Sequence, residues 1–200
     1  MATQSYGLGD LTFNGQKIRT TTGNESLNFK VWGGSLRVNI TKEKEFKPLF
    51  ERPLPANKVT IIKHLVEKVK KASPGAKFPM VCSQYNRETK TWATDYVLTF
   101  LKDDKNVYHI EIQWKGNKFD CVLKGPGGVA FGSDPMSDAE KSAIELETLL
   151  DWLVYIAPVQ CVLTNKKREF DGSVQGASYT ANGGATKGGS SAPANDDDFF

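Results

Sequence analysis

The chain predicts an α+β fold in the order strands, helix, strands, helix. Three features of the sequence carry that expectation. Two runs of strict apolar/polar alternation meet at Gly33-Gly34, a stretch opening at Asn57 repeats its apolar residues at helical spacing, and four further strand-like runs lead into a helix-start sequence at Ser137.

Taken in order, the first 26 residues are polar, with one hairpin candidate over Leu11–Ile18 whose Asn14-Gly15 is a favoured tight-turn pair. Leu27, Phe29 and Val31 then alternate with Asn28, Lys30 and Trp32. After Gly33-Gly34, Leu36, Val38 and Ile40 alternate with Arg37, Asn39 and Thr41. Successive strand side chains point to opposite faces, so the apolar set faces a core and Lys30, Trp32, Arg37 and Asn39 share the other side. A polar, proline-punctuated link over 42–55 precedes the first helix. Asn57 is its expected cap, Val59, Ile62, Leu65, Val66 and Val69 its apolar stripe, and Lys58, Lys63, Lys68, Lys70 and Lys71 its polar face.

Ser73-Pro74-Gly75 ends that helix, and strands are expected near 79–85, 91–102, 107–115 and 118–124. A Gly/Pro loop over 125–132 follows. Ser137-Asp138-Ala139-Glu140 is a capping box that opens a second helix running to about Ala157, with Ala143, Leu146, Leu149, Leu150, Leu153 and Val154 as a broad face to be buried. Beyond Phe170 the composition turns to Gly, Ser, Ala, Thr and Asn, which cannot bury enough surface to offset the entropy of ordering. The expected organisation is therefore a folded domain within residues 1–172 and a disordered linker over 173–200 with an acidic aromatic tip.

Charge follows the same division. The net charge is +3, and residues 173–200 hold one lysine and three aspartates, a net of −2, which leaves +5 on residues 1–172. A basic body and an acidic tail imply a polyanion for one and a basic partner for the other. Cys82, Cys121 and Cys161 are odd in number and far apart, fitting neither a disulfide framework nor a zinc site. No basic leader precedes an apolar run, and no run reaches the roughly 20 apolar residues of a membrane span. The expectation is a protein of the cytoplasm, or of the host cytoplasm if viral, with no membrane partner.

Catalytic chemistry is poorly supplied. His64 and His109 lack Cys, Asp or His neighbours at ligand spacing, the glycine-rich segments lack the Lys-Ser/Thr of a phosphate loop, and Asp103-Asp104 reads as a turn. No enzyme and no cofactor are expected. Cations and flat rings on strands and at their ends are what single-strand binders use, each base stacked being worth about 1–3 kcal/mol. The candidates are Lys30, Trp32, Arg37, Lys42, Lys44, Phe46, Lys47 and Phe50 in the first block, and Tyr85, Arg87, Lys90, Trp92, Tyr96, Trp114, Lys115, Lys118 and Phe119 in the second. Tyr96, Tyr108 and Phe100 are expected in the core.

At the other end, Asp196, Asp197 and Asp198 are followed by Phe199 and Phe200, apolar residues with no core to join. This ending resembles the acidic tips of bacterial and bacteriophage single-stranded DNA-binding proteins. The body, from Leu36 through Lys42, Phe46, Phe50 and the helix at Asn57, and again from Tyr108 through Trp152, is similar in layout to the Whirly/PC4-like family of single-strand binders. That resemblance implies curved antiparallel sheets packed on helices. A five-stranded OB-fold barrel is the alternative. The lysine-glycine oligomerisation segment of the plant members is absent, so homo-oligomer formation is left open. The resemblances imply sequence-nonspecific binding of single-stranded DNA in replication, recombination or repair, of bacteriophage type, with replication or recombination proteins recruited through the tip. An RNA-binding protein or an adaptor without nucleic acid are the alternatives.

Overall fold

Residues 13–53 and 77–122 build two four-stranded antiparallel sheets, each followed by a helix. The computed structural model describes residues 13–45, 47–125, 130–131 and 134–166. The first sheet is the meander β1 (Phe13–Arg19), β2 (Glu25–Trp32), β3 (Ser35–Lys42) and β4 (Phe50–Pro53), followed by α1 (Ala56–Lys71). The second is the meander β5 (Lys77–Asn86), β6 (Thr91–Lys102), β7 (Tyr108–Trp114) and β8 (Asn117–Val122). A two-residue pair, β9 (Ala130–Phe131) with β10 (Asp134–Pro135), precedes α2 (Asp138–Asp151). The fold is α+β. Two separate four-stranded meanders replace the five-stranded barrel of the OB-fold alternative.

The central hairpin forms as its alternation dictates. Trp32 pairs with Ser35, and Gly33 and Gly34 have φ of 62° and 76°, the left-handed conformations that a two-residue hairpin turn demands. Leu27, Phe29, Val31, Leu36, Val38 and Ile40 are all buried. Two expectations are corrected beside it. Asn14-Gly15 makes no turn: it lies inside β1, where the register against β2 slips by one residue between Asn14 and Lys17, as at a β-bulge. The supposed link over 42–55 contains β4, whose Phe50 pairs with Ile40 and points into the core. Four residues ending in proline are too short to show a period and suit a sheet edge.

Helix boundaries differ at both helices. Pro55, not Asn57, occupies the N-cap of α1, without a side-chain cap bond, because proline's fixed φ suits a helix start. At α2 the capping box is present: the Glu140 N–H donates to Ser137 Oγ at 3.3 Å, and the Ser137 N–H donates to Glu140 Oε2 at 2.8 Å. This helix does not stop at Ala157. It widens into a π-helical segment over Trp152–Ile156 and continues to Lys166, so that Pro158 lies within it. The Ala157 N–H reaches back to the carbonyl of Trp152, five residues earlier. That wider turn loosens the coil immediately before a ring that would otherwise press on the carbonyl four residues behind it. By length and composition alone the 29-residue helix Asp138–Lys166 is long and apolar enough to cross a membrane, which reading it only to Ala157 conceals.

One apolar core joins the inner faces of both sheets to the inner faces of both helices. Tyr96, Phe100 and Tyr108 are in it, as expected. The sheets also meet directly. Phe50 of β4 packs edge-on against Tyr96 of β6 with centroids 5.1 Å apart, and against Trp114 of β7 at 5.6 Å. Arg52 grips Asp95 with two parallel bonds of 2.5 and 2.8 Å, a planar fork on a carboxylate. At the far edge Thr20 bridges Cys121, and the Thr21 N–H donates to the Asp120 carbonyl at 2.8 Å.

Candidate nucleic-acid interface

Among the described residues, the most exposed aromatic pair stands where β5 and β6 outrun the core. The register between them slips between Cys82 and Ser83, and every residue from Ser83 to Thr94 is exposed. Alternation from the buried Cys82 puts Ser83 and Tyr85 on the outer side of the sheet. Tyr85 pairs in register with Trp92, and their rings lie 5.3 Å apart at 57°. Trp92 is 71% exposed and Tyr85 44%. Asn86 shapes the tip: its Oδ1 accepts the N–H groups of Glu88 and Thr89 at 2.9 and 3.3 Å, a side chain mimicking a turn. Lys90 takes φ of 53°, and both Arg87 and Lys90 are exposed around that turn.

Two adjoining hollows run along this sheet and share Thr94. One is lined by Gln84, Tyr85, Arg87 and Ala93, the other by Gln113, Trp114, Lys115, Asn117 and Lys118. Of the predicted residues of the second block, Tyr85 and Arg87 line the first hollow and Trp114, Lys115 and Lys118 the second, whereas Lys90, Trp92 and Phe119 line neither. Their individual states differ. Trp114 is half-buried against Phe50, its indole N–H is buried without a hydrogen-bond partner, and Lys115 Nζ sits 5.0 Å from the ring centroid. Lys118 is held by the buried carboxylate of Glu111 at 2.7 Å, and that hydrogen bond raises its pKa. Phe119 is half-buried against the core.

The first block is arranged differently. Lys30, Arg37 and Asn39 do lie on the face away from the core, yet Glu51 of β4 stands among them. Its carboxylate receives Lys30 Nζ at 2.8 Å and Arg37 Nη1 at 2.9 Å. Burial pushes the Glu51 carboxyl up, but the bonds and charges of Lys30 and Arg37 outweigh it and hold the group below the usual carboxylate range. The Arg37 guanidinium lies 4.8 Å from the Trp32 ring centroid, occupying one face of a ring that is 39% exposed. Lys42 pairs with Glu45 at 3.3 Å, while Lys44, in a turn with φ of 69°, and Lys47 are exposed. Phe46 lies outside the described residues. Phe50 is corrected from candidate to core, since only 2% of it is exposed.

Glu51 is the residue that sequence reading missed, and the alternation Phe50-Glu51-Arg52 is its only signal. On the lysine face of α1, Lys63, Lys68 and Lys71 are exposed, while Lys70 is bound to Glu147 of α2. Neither histidine gathers ligands. His64 is exposed, and His109 is enclosed between Asp120, 2.9 Å from Nδ1, and Asp103, 3.5 Å from Nε2. No group of three metal-ligating side chains occurs among the described residues. The three cysteines are free thiols, and burial pushes Cys121 up to about 12. Asp196–Phe200 lie outside the described residues. Compared with protein families, with curated proteins and with solved structures, the chain matches none.

Proposed function

We propose that this chain is a non-catalytic, sequence-nonspecific binder of single-stranded DNA, with the outer surface of the second sheet as its main contact. The observation that carries the reading is the exposed Tyr85–Trp92 pair on an arm projecting past the core, with Arg87 and Lys90 around its turn. Large rings left in water have no packing role to offset their hydration, whereas splayed bases offer them flat apolar partners and the cations offer phosphates a counter-charge. The finer fold relationship we propose is the Whirly/PC4-like one, supported by the recurrence of four strands and a helix in each half. The acidic tip is proposed to recruit replication or recombination proteins, in the cytoplasm or the host cytoplasm.

The deciding experiment titrates dT oligomers against the wild type, Trp92→Ala and Trp32→Ala across a salt series. Wild-type affinity should fall steeply with salt through counterion release. Trp92→Ala should lose roughly 1–3 kcal/mol of binding without loss of thermal stability. Trp32→Ala should lose less, because Arg37 already covers one face of its ring. A response flat in salt and indifferent to Trp92 would favour the adaptor alternative.

A further inference from the structure

The helical run past Asp151 has two unlike sides. Inward, Trp152, Leu153 and Ala157 are buried in the core and Thr164 is also buried. Outward lie Tyr155, Ile156, Val159, Val162 and Leu163, each between 47% and 65% exposed. Eleven large apolar side chains are exposed among the described residues, and five of them fall on this short stretch, a larger group than the Tyr85–Trp92 pair. Between Asp151 and Lys166 there is no charged residue at all.

We propose that this stripe is a homodimer interface, occupied by the same stripe of a second copy running antiparallel about a two-fold axis through Val159. The spacing fits such an axis. Relative to Val159 the apolar residues stand at −4, −3, +3 and +4, so the rotation sets Tyr155 against Leu163 of the second copy, Ile156 against Val162, and Val159 against itself, an isologous contact. Charge selects the direction. Exposed Asp151 bounds the stripe at one end and exposed Lys166 at the other. Antiparallel pairing brings opposite charges together at both ends, and parallel pairing stacks like on like.

Area agrees as well. Five side chains about half exposed offer ~500 Å² per copy, or ~1,000 Å² for the pair, where specific interfaces begin. The other occupants fit less well. The chain's own tip, two phenylalanines behind three aspartates, offers too few apolar side chains to cover five, and the cations that could meet its aspartates, Lys166 with Lys167 and Arg168 after it in the sequence, all stand at one end of the stripe. Crossing a bilayer would need the helix free on every side, while Trp152, Leu153 and Ala157 tie it into the core.

The test uses the full-length chain. Sedimentation equilibrium of the wild type should show a monomer–dimer equilibrium, and Val159→Asp, which sets two carboxylates face to face on the axis, should raise the dissociation constant at least ~100-fold with an unchanged melting curve. In a Cys161→Ser background, Val159→Cys should be joined by a short bismaleimide. Lys166→Cys should not, because antiparallel copies hold residue 166 about 20 Å from its mate at 1.5 Å per residue. A wild type monomeric at every concentration overturns the proposal, whether it floats with phosphatidylglycerol vesicles, naming a membrane, or dimerises only as Phe199→Ala/Phe200→Ala, naming the tip. It is equally overturned if Val159→Asp dimerises like the wild type, or if Lys166→Cys cross-links as readily as Val159→Cys.

Discussion

Glu51 changes the meaning of three residues around it. Lys30 and Arg37 look in the sequence like free cations beside an exposed tryptophan, and the fold gives both of them a carboxylate. On the proposed reading, Glu51→Gln should tighten dT-oligomer binding at low salt, because it removes a negative charge and leaves two cations available to phosphates, with the gain fading as salt screens them. The same variant has a stability signature. The folded-state pKa of Glu51 lies below its ordinary value of 4.5, so its contribution is fully present above that value and is lost as pH falls through the lower folded value. The stability difference between wild type and Glu51→Gln in urea titrations should therefore be largest near neutrality and shrink in acid. A difference independent of pH would show that the carboxylate's charge is not what matters there.

Among the elements, α2 shows how far local chemistry sets a boundary. Its start is written in four residues, Ser137 to Glu140, and both reciprocal bonds of the capping box form. Ser137→Ala should cost about 1 kcal/mol in urea-induced unfolding, through the orphaned Glu140 N–H, and Ser137→Asp should recover most of it. No comparable rule marks the end of the helix. Proline usually stops a helix, and Pro158 is passed only because the wider turn before it is held by the burial of Trp152, Leu153 and Ala157. The central hairpin meets the far end of this helix as well: a Cβ on Gly34 would fall 1.8 Å from Asn165 Oδ1. That glycine is required twice, by its turn and by its neighbour.

For the whole molecule, the two sheets form one body because β4 reaches across to β6. Phe50 packs on Tyr96 and Trp114, and Arg52 binds Asp95. The proposed interface depends on the charge of the entire chain, +5 on residues 1–172 against −2 on the remainder. Deleting Asp196–Phe200 should leave the melting temperature unchanged and raise single-stranded DNA affinity at low salt, with the two proteins converging as salt rises. Identical binding at every salt concentration would confine the tip to other work.

Strand and helix identity were legible in the sequence wherever a period had room to repeat. The eight-residue strands around Gly33-Gly34, the strands of the second sheet and the face of α1 were all visible, because alternation and 3.6-residue spacing are local properties of the chain. Of the candidate site, the arm's four residues could be named, since Tyr85, Arg87, Lys90 and Trp92 flank a recognisable turn. The sequence alone settled which side chains share a strand face. Only the tertiary structure decided which partners that face meets: β4 as an edge strand, Glu51 between Lys30 and Arg37, Phe50 in the core and the helix continuing past Pro158. Each of these depends on residues distant in the chain, and contacts between distant segments leave no period to read.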